Sequence, residues 1–419
     1  MSSSSPARKV DRREFLRRSG QVGLGGLGLG LLPWRRVRAE TAAAEPRVSR
    51  TVPLGRTGLR ISDISFGSSR LSGDQDLVRH ALDRGINYFD TAESYKGGES
   101  ESTLGRTLHG VRENVILASK VKCESGDTRE RLMSSLEGSL RRLQTDRIDI
   151  YFNHAVNGVD RLSNPEWPEF VSRAREQGKI RFTGMSGHGG RLVECIDFAL
   201  DGDLVDVLLV GYNFGQDPAF YQRFTRALDF VAVQPDLPRV LRKAKEKGVG
   251  VIAMKTLRGA RLNDLRAYES GGATFAQAAF RWTLSSPHVD ALIVTMKSPE
   301  QVDEYLGASG WESAHSRDGS LLVRYARENQ ATQCRYGCNA CASACPHGVP
   351  IAEVLRTHMY AHDYGDLELA KEDYTSLGGG AAACLSCAAA PCANACPHGV
   401  RIPELTGPTH RLLRVPSRG

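Results

Sequence analysis

VILASKVKCESGDTRERLMSSLEGSLRRLQTDRIDIYFNH, Val115 to His154, is the stretch on which the fold turns. It begins with a short apolar run, VILASK, and ends with another, IDIYFNH. Between them TRERLMSSLEGSLRRL (Thr128–Leu143) carries its leucines at helical spacing. Strand, amphipathic helix, strand is the signature of two parallel strands joined by a crossover helix. The same alternation runs in both directions, from Ile61 to Ala308, through ISDISFGSS, INYFDTA, VILASK, IDIYFNH, IRFTGMSG, VDVLLVGYN, VGVIAMKT and DALIVTMKS. Helical segments such as LPRVLRKAKEKG and TFAQAAFRWTL lie between these runs. Short apolar strands alternating with amphipathic helices predict an α/β fold, a parallel sheet covered by helices. Eight such units in about 250 residues fit a (β/α)8 TIM barrel better than an open doubly wound sheet. No glycine-rich dinucleotide fingerprint follows a strand, which also disfavours the open sheet.

The predicted organisation is a leader and linker over 1–44, the barrel over 51–308, a linker with one helix over 309–332, and a small, mostly α-helical domain over 333–406. The formal charge of +7 raises the question of nucleic acid. Residues 1–39, however, hold nine Lys/Arg against Asp11 and Glu14, which is the whole excess. The rest is balanced and shows no basic face interleaved with aromatics, so nucleic acid is not an expected partner. The charged stretch DRREFLRR (Asp11–Arg18) precedes a glycine-rich apolar run, QVGLGGLGLGLL, too short and too rich in Gly to span a bilayer stably. It resembles a twin-arginine export signal with Arg12-Arg13 as the pair, and cleavage after Ala39 or Ala44 satisfies the small-residue rule. A disordered basic tail is the bland alternative. The resemblance implies passage through the twin-arginine translocase to the periplasm, or residence at the membrane if the leader is retained.

Barrel enzymes carry their reactive groups where strands end and βα loops begin. Asp90 and Tyr95 follow the second strand (NYFDTAESY), Lys120 closes the third and His154 the fourth. Each alone has a dull reading: a loop aspartate, a surface lysine, a satisfied histidine. Their joint placement on three consecutive strands points to one catalytic set. With LGRTGLRIS, GINYFDTAESYKGGESESTLGRTL, ASK and FNH in this order, the chain resembles the aldo/keto reductase family from Thr51 to Ala308. By resemblance Tyr95 is the acid/base toward a carbonyl or alcohol and His154 orients the substrate oxygen. Hydride comes from NADP(H) lying across the barrel mouth. A lysine ammonium at the Tyr95 hydroxyl, itself held by Asp90, is expected to favour the phenolate and bring its pKa toward working pH.

The cofactor contacts implied by the family are Ser186, Met254, Lys297, Ser298, Gln301 and Glu304, with Lys297 the candidate for the ribose 2′-phosphate and Leu257 to Gly259 letting the backbone approach the pyrophosphate. The match departs from the family at four positions. Gly187 stands where an Asn is usual, Leu209 replaces a strand-six glutamine, Met254 replaces an aromatic that stacks on the nicotinamide, and Tyr305 replaces an adenine-contacting Asn. Met254 is still able to pack on a ring, and Tyr305 is a candidate for stacking on adenine. Trp167 and the segment from Phe214 to Pro235 are either pocket wall or exterior packing. Cys123 reads as a quiet thiol rather than a nucleophile.

Eight of the ten cysteines fall between Cys334 and Cys396. CRYGCNACASACP supplies Cys334, Cys338, Cys341 and Cys345; CLSCAAAPCANACP supplies Cys384, Cys387, Cys392 and Cys396. Both runs end in ACPHGV, and Cys-x3-Cys-Pro is the closing element of bacterial ferredoxin runs. The predicted cofactors are two 4Fe-4S clusters, with the last cysteine of each run reaching across to the other cluster. The runs depart from the ferredoxin pattern by a C-x3-C and a C-x4-C, so a zinc pair and disulfides stay open as alternatives. The helical stretch between the runs resembles the α-helical ferredoxin type, also found appended to some aldo/keto reductase relatives. Clusters assembled in the cytoplasm would need a route that exports folded protein, as the twin-arginine leader implies.

The expected function is therefore an exported oxidoreductase acting on a small carbonyl or alcohol, sugars among the candidates. The alternative is an iron–sulfur electron-transfer protein whose barrel no longer turns over its nicotinamide substrates. Hydride moves two electrons and a cluster normally one, so a redox partner protein is one route for the clusters and a purely structural role is the other.

Overall fold

The computed structural model describes residues 45–215, 236–257, 269, 274–311, 316–329, 332, 334, 338–363 and 365–414. β1 (Thr51–Pro53) and β2 (Arg60–Ser62) pair as an antiparallel hairpin. β3 (Ile64–Gly67), β4 (Tyr88–Asp90), β5 (Ile116–Val121), β6 (Ile148–Asn153), β7 (Ile180–Gly187), β8 (Val207–Gly211), β9 (Gly250–Met254) and β10 (Ala291–Thr295) are the eight apolar runs of the sequence. They close a barrel in sequence order, β10 returning to pair with β3, and every pairing is parallel. Each barrel strand is followed by a helix, from Gln75–Asp83 after β3 to Pro299–Leu306 after β10.

Local chemistry fixes where these helices begin. Thr128 accepts from the Arg131 N–H to start Arg129–Leu143, and Thr274 with Gln277 forms a capping box at the head of Phe275–Leu284. Period-two alternation then sorts the strand residues. Tyr88, Ala118, Ile150, Phe152, Val207, Leu209 and Ile252 fill the barrel interior, while their neighbours Phe89, Leu117, Tyr151, Leu208 and Val251 face the helices. The hairpin's Val52, Leu54, Leu59 and Ile61 join the interior cluster. Leu54 packs on Gly250, the first residue of β9, so the hairpin stoppers the N-terminal end of the barrel and leaves the catalytic end open. Gly55 turns there with φ +49°, and a Cβ would stand 2.4 Å from the Gly248 carbonyl oxygen.

Beyond the barrel, the helix Ser316–Asn329 is tied to Phe275–Leu284 by Asp318, which takes two bonds from Arg281 at 2.7 and 2.8 Å with both side chains buried. Three further helices, Ile351–His362, Leu367–Thr375 and Ile402–Leu413, share a small core of Val354, Leu355, Ala370, Tyr374, Val400 and Ile402. The duplicated hexapeptide folds the same way twice. Cys345 and Cys396 have ψ 112° and 109°, Gly348 and Gly399 have φ 61° and 65°, and Ile351 and Ile402 each begin a helix two residues after Val349 and Val400. The repeat is thus one structural element used twice, each copy ending a cysteine run and launching a helix. Barrel and C-terminal helices belong to one compact unit beginning at Glu45. Among the described residues no helix is long and apolar enough to cross a membrane.

Candidate active site and candidate metal centre

The four sequence-predicted catalytic residues meet at the open end of the barrel. Asp90 ends β4, Lys120 lies near the end of β5, and His154 follows β6 directly. Tyr95 begins a tight turn, Tyr95–Gly98, whose next residue Lys96 is left-handed at φ 54°. The Lys120 ammonium donates to Asp90 Oδ1 at 2.5 Å, to the Thr91 carbonyl at 2.5 Å and to the Tyr95 hydroxyl at 3.4 Å. Lys120 and Asp90 are each 1% exposed, so this is a fully desolvated ion pair. The His154 ring meets the Tyr95 ring edge-on, centroids 5.7 Å apart.

Burial decides the protonation states. It pushes the Tyr95 phenol up, and although Lys120 pulls it down, Asp90 pushes it up again, so the net shift is upward. The expectation of a Tyr95 brought toward working pH is therefore corrected: desolvation outweighs the ammonium, and Tyr95 holds its proton at neutral pH. Burial likewise opposes the Lys120 charge, but Asp90 and Tyr95 more than offset it and Lys120 stays a cation. His154 lies well below the ordinary imidazole range because of burial and the nearby Lys120, Lys122, Arg161 and Lys255, which makes it neutral. Its Nδ1 is buried without a hydrogen-bond partner among the described residues.

These residues line a cleft of about 990 Å³, open mouth included, whose walls also hold Ser186, Met254 and Leu257 from the cofactor prediction. The Ser186 hydroxyl accepts from the Ala155 N–H at 2.9 Å, so part of its capacity is spent inside the barrel rim. Gly259 lies outside the described residues. Lys297, Ser298, Gln301 and Glu304 do not line this cleft; they sit at and along the helix Pro299–Leu306 that follows β10. Ser298 caps that helix and the Gln301 side chain accepts from the Lys297 N–H at 3.0 Å. Three expectations fare differently. Tyr305 is 4% exposed and packs edge-on against Phe280 at 5.1 Å, so the helix turns it into the core rather than toward an adenine. Trp167 is exterior packing, its ring 5.4 Å from Phe170. Cys123 is buried with its thiol pushed up to about 11, a quiet thiol as expected. All but Phe214 and Gly215 of the Phe214–Pro235 segment lie outside the described residues.

What sequence reading missed is the other wall of the cleft. Tyr360, Asp366, Leu369, Glu372 and Asp373 come from the C-terminal helices. They are held over the barrel mouth by Arg70–Asp366 at 2.9 Å, Lys96–Glu368 at 2.8 Å, and Lys122 to Glu372 and Asp373 at 3.6 and 3.5 Å. Glu353 accepts from the Gly190 N–H at 3.0 Å and from the Asn157 amide. Tyr360 Oη accepts from Lys255 Nζ at 3.1 Å and is 3.0 Å from His188 Nε2. Partners more than a hundred residues apart leave no local trace in a sequence, and only tertiary placement reveals them.

The cysteines gather in two groups, each mixing residues of both runs. One cavity, of about 380 Å³, is lined by Cys384, Cys387 and Cys392 of the second run together with Cys345 of the first. The Cys334 thiol is pushed up by burial and by Cys338 and Cys341 of its own run and Cys396 of the other. None of the ten cysteines is in a disulfide. The Val400 N–H points at Cys396 Sγ, 3.4 Å away. Among the described residues no three His, Cys, Asp or Glu side chains converge at single-ion spacing.

The sequence model of the Aldo/keto reductase family matches residues 63–268. The chain is 27% identical over 292 residues to L-galactose dehydrogenase of Arabidopsis thaliana, covering 61% of this chain and 86% of the relative. It is 32% identical over 297 residues to a probable voltage-gated potassium channel subunit beta of Oryza sativa subsp. japonica, covering 61% of this chain and 89% of the relative. Among solved structures, the holo form of an aldo-keto reductase from Bacillus halodurans superposes with a TM-score of 0.52 at 22% identity, over 66% of this chain and 95% of that one.

Proposed function

The chain belongs to the aldo/keto reductase family, and from that premise we propose that it reduces a small carbonyl compound to an alcohol with NADP(H), outside the cytoplasm, and carries two 4Fe-4S clusters. The observation that carries the catalytic part is the buried Asp90–Lys120 pair touching Tyr95 beside a neutral His154 at the open end of the barrel. NADPH, when bound, supplies the hydride. Tyr95 would donate its phenolic proton to the substrate oxygen, its own O–H bond breaking as the alcohol O–H bond forms. Lys120 steadies the phenolate left behind, and Asp90 holds Lys120 in place by accepting from it at 2.5 Å. Neutral His154 has one N–H with which to polarise the same oxygen, as a hydrogen-bond donor that carries no charge of its own. A phenol whose pKa is raised suits the reducing direction, because the acid is present across the physiological range. This geometry favours an enzyme over a barrel that has lost turnover.

The nucleotide would rest on Ser186, Met254, Leu257 and Gly259, with Lys297 and Ser298 toward its phosphates and Gln301 and Glu304 beside them. The fit is partial: Leu209 is wholly inside the barrel core and offers no amide contact, while Met254 lines the cleft and is able to pack on a ring. The L-galactose dehydrogenase likeness suggests a sugar or sugar-like substrate. For the clusters, the support is the crossed grouping of Cys345 with Cys384, Cys387 and Cys392, and of Cys396 with Cys334, Cys338 and Cys341. A cubane needs its four sulfurs spread around a volume, whereas zinc draws them to one point at about 2.3 Å. Export by the twin-arginine route rests on residues 1–44, which lie outside the described residues. A redox partner protein is the proposed outlet for electrons from the clusters.

The test is an NADPH fluorescence titration of leaderless, anaerobically purified protein, with iron and labile sulfide measured on the same sample. Saturable binding and about eight irons per chain are expected. Colourless, zinc-bearing protein would remove the clusters, and absence of binding in nucleotide-free protein would remove the cofactor.

A further inference from the structure

The helix Leu367–Thr375 presents one face to the catalytic cleft. Asp366, its N-cap, and then Leu369, Glu372 and Asp373 recur at helical spacing, and all four line the cleft with Tyr95 and His154. Glu368 lies off that face, exposed, and pairs with Lys96 at 2.8 Å. The lining face is held against the barrel at both ends. Asp366 caps the helix by accepting from the Leu369 N–H at 3.3 Å and pairs with Arg70 at 2.9 Å. Lys122, which directly follows β5, stands 3.6 Å from Glu372 and 3.5 Å from Asp373. Arg356, on the helix Ile351–His362, approaches Asp373 to 3.9 Å. The charge of Asp373 is among those that push the Tyr95 phenol up, so its field reaches the reacting group.

The barrel side of the cleft favours an anion. Among the described residues it supplies Lys120, Lys122 and Lys255 against Asp90, with His154 and His188 neutral. The described C-terminal residues of the cleft add Asp366, Glu372 and Asp373 and no cation. Lys120 is engaged deep in the site by Asp90. Lys122 is the rim lysine, its side chain 26% exposed, that an entering anion would meet. From this placement we infer that Asp373 and Glu372 are specificity-determining residues, which turn the cleft against carbonyl substrates that carry a negative charge and leave uncharged ones unaffected. A substrate carboxylate or phosphate drawn to Lys122 comes within reach of the two carboxylates already there, and like charges brought together in a partly desolvated cleft repel. An uncharged carbonyl compound meets neither the attraction nor the repulsion. Burial pushes the Glu372 carboxyl up and Lys122 draws it down, so the test belongs at about pH 8, above the ordinary range of either carboxylate.

The inference rests on the reductase reading, and its test separates the two. NADPH oxidation is followed with leaderless, cluster-loaded protein on butanal and on succinic semialdehyde, equal in chain length and differing in a terminal carboxylate. In protein carrying both Asp373→Asn and Glu372→Gln the preference for butanal, as a ratio of kcat/KM values, is expected to fall roughly five- to fiftyfold at low salt, with butanal itself little changed. The shift should shrink as salt is raised. Lys122→Gln, which leaves the carboxylates uncompensated, should move the ratio the other way. Glu368→Gln, on the exposed ion pair off the lining face, should leave it unchanged. An equal loss on both substrates, or an unchanged ratio in the double variant, overturns the inference. Shifts of the same sign in the double variant and in Lys122→Gln overturn it as well, because a disturbed wall rather than its charge would then set the ratio. Wild-type protein that turns over neither aldehyde overturns the reductase reading before any substitution is made.

Discussion

Replacing Lys120 by Met isolates the electrostatic heart of the site. Lys120 and Asp90 are each 1% exposed, and Asp90 Oδ2 has no hydrogen-bond partner among the described residues, so the ammonium is the main group compensating that carboxylate. Removing one partner of a buried pair typically costs about 3–5 kcal/mol. An independent route gives the same size. If Asp90 escapes by taking up a proton, doing so at pH 7 from an unfolded pKa of about 3.9 costs about 4 kcal/mol. The sign of the pH dependence follows. In the variant the folded state holds a proton that the unfolded state has lost, so stability falls as pH rises from about 4 to 7 and returns on acidification, by about 1.4 kcal/mol per unit. Asp90→Asn with Lys120→Met removes the orphaned charge and should recover most of the loss. The assay is urea unfolding followed by tryptophan fluorescence at pH 5 and 7 under anaerobic conditions. A single variant as stable as wild type at pH 7, or a double variant no better than the single, would refute the reasoning.

Arg281→Met should lower stability by about 3–5 kcal/mol by leaving Asp318 buried without its guanidinium, seen as a lower Tm. With Tyr95 raised above its ordinary value and His154 depressed, the pH profile of kcat/KM for reduction should be flat between about pH 6.5 and 9, with no inflection from either group. Because Cys345 lines a cavity with the second run, Cys345→Ser should share the electron paramagnetic resonance signature and iron loss of Cys387→Ser, and differ from Cys338→Ser.

The barrel was legible because eight apolar runs alternate with amphipathic helices, and each run became a strand in order. Asp90, Tyr95, Lys120 and His154 were legible because a strand end is a position that sequence can mark. The protonation of Tyr95 was not, since it depends on how much water the closed fold removes from around a phenol. Tyr305, a candidate for stacking on adenine from its position after the last strand, packs on Phe280 instead, because the face a helix turns to the core depends on its neighbours. The wall of Tyr360, Glu372 and Asp373 escaped entirely. Its anchors, Lys255, Lys122 and Arg70, lie 105, 251 and 296 residues away, and no local pattern announces such pairs. The duplicated ACPHGV gave the reverse lesson, since identical residues produced matching backbone in both copies.

Tyr95→Phe tests the central claim most directly. In single-turnover NADPH oxidation with a carbonyl substrate in excess, the account predicts a chemical step slowed by about 10²- to 10⁴-fold, with nucleotide affinity and iron content kept. Hydride transfer at the wild-type rate in the Tyr95→Phe protein would contradict it.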